Sequence, residues 1–319
     1  MTDLIEFDQD DFDRELFDSA VADGPPELRD SLLHVLGAGG KRLRPLLVHH
    51  FGGLVRADPR RVRSLGLAVE LLHVATLIHD DIIDSAESRR GVDSLHRKSG
   101  SDVALLVGDL YLARCGVHLA ATSVPQATDE LFTALGVITR GELQQRSRRF
   151  DLTQGEADYL ATIWRKTGSL IVAACAAAVS LGEGGPAQVQ AARRFGHLLG
   201  QAFQIVDDVL DYTASAQELG KPAQSDIREG TVTLPLIYAL QVFPAPLQQL
   251  IQEGRNSGNF SAVVEMVRTS GAIERCLVLA DELGRQAAEA LAAAAPAFVA
   301  GPHLEQLRLL TVEVARRRH

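Results

Sequence analysis

The sequence predicts an all-α fold, a large helical bundle, and three observations lead there. Ala, Leu, Glu, Gln and Arg fill long stretches, while strand-like alternation is scarce. Helix breakers recur at helix-scale intervals, the clearest being Pro59, Pro125, the Gly184-Gly185-Pro186 run, Pro222, Pro244 and Gly301-Pro302. The long segments between them carry apolar residues without a sustained heptad, which favours a globular bundle over a coiled coil.

The breakers divide the chain into candidate helices at 60–88, 101–122, 126–149, 154–182, 186–213, 231–242, 258–269, 271–295 and 303–317. Residues 1–25 are expected to form a less ordered N-terminal segment of a single 1–319 domain, because no shift in composition marks a linker. The helix at 60–88 is apolar from Leu65 to Ile83 and then turns acidic. The helix at 154–182 buries a lysine in the apolar stretch TIWRKTGSLIVAACAAAV. The helix at 186–213 ends in FGHLLGQAFQIVDDVLDY, again apolar and then acidic. After it, 214–230 is the longest polar insertion and reads as a loop of the kind that carries function.

With 319 residues, 46% of them apolar, the chain has material for a sizeable core. A net charge of −9 and a pI of about 5.6 argue against a nucleic-acid surface. Cys115, Cys175 and Cys276 are far apart and lack zinc spacing, so they read as reduced core residues, suiting a cytoplasmic location. The acidic start MTDLIEFDQDDFDREL does not resemble a signal peptide. No apolar run is expected to reach the roughly 18 to 20 residues of a membrane span. Any membrane contact would then be peripheral, for release of an apolar product.

The strongest chemical signal is Asp80-Asp81-Ile82-Ile83-Asp84. Asp80 and Asp84 share a helix face at i, i+4, with Asp81 beside them. Carboxylates crowded on an apolar helix repel one another unless a cation binds, and hard oxygen ligands suit Mg²⁺, which bridges to substrate phosphates. Asp207-Asp208-Val209-Leu210-Asp211 repeats the spacing at the end of another apolar helix. One such motif alone reads as a solvated helix end; two in the same context point to a shared diphosphate and its metal ions.

A diphosphate also needs cations. Gly39-Gly40-Lys41-Arg42-Leu43-Arg44 puts Lys41 and Arg44 on one face of a starting helix. This is not a P-loop, because Arg42 stands where Ser or Thr would follow the lysine. Arg89-Arg90-Gly91 follows the first Asp motif. Lys166-Thr167 lies in an apolar stretch, where an unpaired lysine is costly. Lys221 sits in the polar loop after Asp211.

These blocks, from GGKRLRP through ELLHVATLIHDDIID, SRRG, LVGDLYLAR, GEL, KTGSL, GQAFQIVDDVLD and GKPAQSD to TLPLIYAL, resemble the trans-type polyprenyl diphosphate synthases over about 39–240. The resemblance implies an all-α bundle around a deep central cavity, a homodimer, and three Mg²⁺ ions held through both motifs. By that likeness Asp80, Asp81, Asp84, Asp207, Asp208 and Asp211 serve the metals. Arg89, Lys166 and Lys221 contact an allylic diphosphate, with Thr167 and Gln204 nearby. Lys41, Arg44, His73 and Arg90 hold isopentenyl diphosphate. The chemistry implied is ionisation of the allylic carbon–oxygen bond, attack by the isopentenyl double bond, and proton loss to the departing diphosphate. One departure stands out: the family often reads Glu-Gly-Lys-x-Thr-Leu-Pro after the loop, and here Thr231 replaces that lysine.

Product length is expected to depend on what lies beneath the first motif. Thr76 shares the Asp80 face, Leu72 lies a turn further down, and the resemblance adds Ala75 as a length-determining position. None of the three is aromatic, which favours a C30 or longer product over C20. Two other readings compete: a class I terpene cyclase, which would not need Lys41 and Arg44, and a catalytic subunit that needs a partner chain.

Overall fold

The structure, a computed structural model, describes residues 7–22, 24–182, 184–214 and 224–316. Sixteen α-helices and one two-stranded hairpin appear among them. Two long apolar helices, α4 (Pro59–Ile83) and α10 (Pro186–Thr213), carry the two Asp motifs at their C-terminal ends. Each starts with Pro at a first-turn position, where the missing N–H costs nothing. Asp58 also caps α4, accepting from the Arg60 backbone N–H at 2.7 Å.

Around this pair, α6 (Ser101–Thr122) packs along α4. Helix α9 (Ser169–Ser180) packs against α10 and α7 (Pro125–Ser147), and its Ala-rich face is almost wholly buried. On the far side of α10 lie α15 (Ala272–Ala294) and α16 (Pro302–Arg316). The contiguous core runs from Phe12 to Val314, so every long helix contributes to it.

Several expected boundaries move. The N-terminal segment expected to be less ordered contains α1 (Gln9–Val21), capped by Asp8 and burying Phe12, Leu16 and Ala20. The region before Pro59 adds α2 (Arg29–Gly37) and α3 (Leu43–Leu54). The helix expected at 60–88 stops at Ile83 and gives way to a hairpin, Ser88–Arg89 paired antiparallel with Val92–Asp93. Arg90 and Gly91 both take positive φ, as a type I′ two-residue turn requires. The short α5 (Leu95–Ser99) follows.

The helix expected at 154–182 is three pieces. Helix α8 (Glu156–Ile163) passes into a π-helical turn, Trp164–Gly168, before α9. The Ser169 N–H reaches back to the Trp164 carbonyl, and such wide turns often mark functional sites. Within the predicted loop lies the short α11 (Ser225–Glu229). Then come α12 (Leu234–Val242), α13 (Pro244–Ser257) and α14 (Ser261–Thr269).

The expectation that no segment matches a membrane span is corrected. Helices α4 and α6 are long and apolar enough by length and composition, yet most of the apolar window of α4 is buried inside the bundle. That of α6 is more open, with Leu105, Leu106 and Val117 exposed.

Candidate active site

The end of α4 sets out the first motif. Asp81 is 2% exposed and its Oδ1 accepts from Arg89 Nε at 2.9 Å, with a second contact from Arg89 Nη2. Asp81 Oδ2 is buried without a hydrogen-bond partner. Asp84 accepts from Arg149 Nη2 at 2.7 Å and, more weakly, from Arg146 Nη1 at 3.5 Å. Burial raises the Asp80 carboxyl to about 6, with Glu142 and Asp84 adding to the rise against Lys166 and Arg89. This crowding of negative charge is what a cation relieves.

The π turn joins the two motifs. Lys166 Nζ lies 2.8 Å from Glu142 Oε2 and in the field of Asp80 and Asp84. Burial alone would lower the lysine pKa, but these carboxylates outweigh it and keep the ammonium charged. The next residue, Thr167, donates to Gln204 Oε1 at 2.6 Å. Gln204 Nε2 in turn donates to Asp208 Oδ1 at 2.7 Å, and Tyr159 donates to Asp208 Oδ2 at 2.7 Å. The π turn can lie this close to α10 because Gly200 faces it: a Cβ there would sit 3.0 Å from the Gly168 Cα. A cleft opens beside this network, lined by Arg148, Tyr159, Lys166, Thr167, Gln204, Asp208 and Thr231 among others.

A second group of cations gathers where α3 begins. Arg44 is brought down to about 10 by burial and by Arg90, against Glu70 and Asp207, and its Nε is buried without a hydrogen bond. Arg90 reaches the Gly39 carbonyl through Nη1. Burial first, and then Arg44, Arg90, Arg89 and Arg42, push His73 well below its ordinary range, so it is a neutral donor and acceptor among cations. Lys41 is exposed and precedes α3, which begins at Leu43 after the left-handed Arg42, so it does not share a helix face with Arg44 as expected.

The expected residues therefore sort into three sets. Asp80, Asp81, Asp84, Arg89 and Lys166 meet at the first motif; Asp207, Asp208, Thr167 and Gln204 gather at the second; Lys41, Arg44, His73 and Arg90 lie by the start of α3. Lys221 is outside the described residues. Asp211, the last carboxylate of the second motif, lies a turn beyond Asp207. It is buried, its Oδ1 accepts from Ser225 Oγ at 3.0 Å, and its Oδ2 accepts from the Asp226 N–H at 3.2 Å. Its carboxylate holds the start of α11, a contact made by chain that folds back over the end of α10 and invisible to helical spacing.

Arg42 is also resolved. It is fully buried, donating to Asp13 at 2.6 Å, Glu70 at 2.8 Å and the Leu36 carbonyl at 3.2 Å, so it anchors the loop between its two neighbours. Sequence reasoning missed Glu142, Arg146, Arg149 and Tyr159. They come from α7 and α8, and only tertiary packing brings them to the Asp motifs. Among the length-determining candidates, Leu72 and Ala75 are buried in the core. Thr76 is half-buried, its hydroxyl donating back to the His73 carbonyl at 2.7 Å.

The residues fit a divalent metal: an orphaned buried carboxylate oxygen on Asp81, a carboxyl on Asp80 raised by burial, and all-oxygen donors. Two acidic helix ends, a lysine between them and a separate arginine group define a metal-assisted enzyme acting on diphosphates. The polyprenyl synthetase family model matches residues 25–267. Heptaprenyl diphosphate synthase component 2 from Geobacillus stearothermophilus is 36% identical over 270 residues, covering 84% of each chain. A chloroplastic solanesyl-diphosphate synthase from Oryza sativa subsp. japonica is 35% identical over 273 residues, covering 83% of this chain and 68% of the relative. The crystal structure of a polyprenyl synthase from Caulobacter crescentus, complexed with calcium and isoprenyl diphosphate, superposes with a TM-score of 0.91 at 34% identity. It covers 98% of this chain and 95% of that one. The chain belongs to the polyprenyl synthetase family. It is a prenyltransferase that joins an allylic diphosphate to isopentenyl diphosphate.

Proposed function

We propose that the chain repeats this condensation to an all-trans product of C30 or longer, with the allylic diphosphate between the two Asp motifs and isopentenyl diphosphate at Lys41, Arg44, His73 and Arg90. The observation that carries the two-site reading is the π turn. Lys166 faces the first motif and Thr167 is tied to the second, so one diphosphate held there touches both.

Asp80, Asp81, Asp84, Asp207 and Asp208 hold Mg²⁺, three ions by likeness to the family. Bound there, the metal neutralises the charge that develops on the leaving diphosphate. Lys166 and Arg89 add positive charge to the same oxygens. Arg89 on Asp81, and Arg149 and Arg146 on Asp84, neutralise those carboxylates, a role that a bound divalent metal would share. Neutral His73 and the buried, still cationic Arg44 hold the diphosphate of the second substrate. No protein base is required, because the departing diphosphate accepts the proton.

The long product is supported by the small and branched residues at 72, 75 and 76, and by relatives named for heptaprenyl and solanesyl products. A homodimer is supported by the apolar outer faces of α6 and α7, where Leu106, Val117, Phe132 and Leu143 are exposed. A cytoplasmic location is supported by Cys115, Cys175 and Cys276, all buried as free thiols.

One observation favours a second reading: the relatives named component 2 suggest dependence on a partner chain. Chromatography of dephosphorylated products, made by the purified chain alone from labelled isopentenyl diphosphate and short allylic primers, tests both. Long products from the single chain support the first reading; no product without a second chain supports the other.

A further inference from the structure

Far along α3 from Arg44, three histidines converge. His49 and His50 lie in the second half of that helix, and His303 lies in the first turn of α16. One ligand nitrogen from each falls within 4.8 Å of the other two. His50 Nδ1 and His303 Nδ1 are 3.1 Å apart. The rings meet edge-on, with centroids 5.1 to 5.4 Å apart. We propose that His49, His50 and His303 form a binding site for a divalent transition metal of the zinc class, separate from the aspartate motifs and clamping α16 to α3.

The geometry suits such an ion. Zinc–nitrogen bonds of about 2.0–2.1 Å in a tetrahedral site place ligand nitrogens about 3.3 Å from one another. The His50–His303 pair, at 3.1 Å, already has nearly that spacing, and the His49 nitrogen lies within 4.8 Å of both. Two Nδ1 atoms facing each other can share one proton or one metal; the metal satisfies both lone pairs at once.

The surroundings support the same use. His50 is 3% exposed, and His49 Nε2 is shielded from solvent. Burial, with His49 and His303 adding, lowers His50 to about 3, and burial lowers His303 too, so both present neutral imidazole near pH 7. The His303 ring lies against Gly53, where a Cβ would come 2.3 Å from its Nε2, so that glycine leaves room for the ring with Nδ1 turned to His50. The same junction is already pinned by the Val299 N–H donating to the Leu54 carbonyl at 3.0 Å, so the ligands come from elements held in place. Imidazole without carboxylate selects zinc, cobalt or nickel over the Mg²⁺ that suits the aspartates.

The test uses the untagged full chain, stripped of metal and then held in excess Mg²⁺ to occupy the aspartate motifs. Titration with Co²⁺ is expected to reveal one equivalent bound with the intense visible absorption of a low-coordinate imidazole site. Zn²⁺ at about 100-fold above its dissociation constant is expected to raise the melting temperature by about 4 °C. Both effects are expected to vanish in His303→Asn and in His49→Gln, and to persist in the control His197→Asn. The two variants serve as alternatives should one fail to fold, and circular dichroism shows which is folded. Absence of the Co²⁺ absorption in the wild-type chain overturns the proposal. So does its persistence, with the Zn²⁺ melting shift, in a folded His303→Asn or His49→Gln chain.

Discussion

Arg89 Nε donates to Asp81 Oδ1 at 2.9 Å, so an arginine assigned to the substrate diphosphate rests on a carboxylate assigned to the metal. Each group satisfies the other while the site is empty of charge from outside. Arg89→Ala therefore leaves Asp81 a buried, uncompensated anion and is expected to lower stability as well as turnover. Breaking a buried pair by removing one partner costs about 3–5 kcal/mol, and the partial exposure of Arg89 puts this case at or below the low end. Urea melts of wild type and variant without metal, beside steady-state rates, check both effects.

Asp80 sets a pH dependence. Its folded pKa, about 6, lies above the ordinary aspartate value of 3.8. A carboxyl raised in the folded state contributes stability that is fully present below pH 3.8 and lost as pH rises through about 6. The metal-free wild type is thus expected to lose stability relative to Asp80→Asn between about pH 4 and pH 7. Melting temperatures of the two proteins in EDTA, measured across that window, give the difference; a flat difference contradicts the assigned environment.

The two diphosphate sites are expected to separate in kinetics. Lys41→Ala and Arg44→Ala chiefly raise KM for isopentenyl diphosphate. Lys166→Ala chiefly weakens the allylic substrate or slows its ionisation, because it removes the charge between the motifs. Loss of one charge-assisted contact is worth about 1.5–3 kcal/mol, roughly a tenfold to hundredfold change. The same pattern for both substrates in all three variants contradicts the assignment.

Ala75 and Thr76 test product length. Ala75 is fully buried, so Ala75→Phe overpacks α4 at a cost of about 1–3 kcal/mol and shortens any cavity beneath Asp80. The Asp motif lies beyond this turn, so the first condensations continue and products shift to C15 or C20. Thr76→Phe acts alike, with the added loss of the hydroxyl bond to His73. Unchanged product length in both active variants places the limit elsewhere.

The helical class, the two Asp motifs and most of the cation set were legible in the sequence because they follow local rules: apolar periodicity, i, i+4 spacing and costly buried charge. Three things were not. The π turn at Trp164–Gly168 carries only Gly168 as a signal, and one glycine is tolerated inside a helix; the turn packs against α7 and α10. The bonds that both Asp211 oxygens accept come from chain that folds back after α10, a contact that helical spacing does not predict. The short N-terminal helices α1 and α2 lie among polar and acidic residues that masked their few buried positions. At Thr231, where the family often has lysine, the hydroxyl accepts from Gln145 Nε2 at 3.2 Å; Arg148 lines the same cleft, paired with Asp158 at 2.9 Å.

The most direct test of the central claim, that both Asp motifs act through a divalent metal on one allylic diphosphate, is incorporation of labelled isopentenyl diphosphate onto farnesyl diphosphate. Wild type, Asp80→Ala and Asp207→Ala are compared in Mg²⁺ and in EDTA. The wild type in Mg²⁺ is expected to form chain-elongated product and to form none from farnesyl diphosphate alone. Both variants, and the wild type in EDTA, are expected to lose turnover by orders of magnitude while keeping their helical circular dichroism. Full turnover in EDTA or in either variant, or hydrocarbon released from farnesyl diphosphate alone, contradicts it.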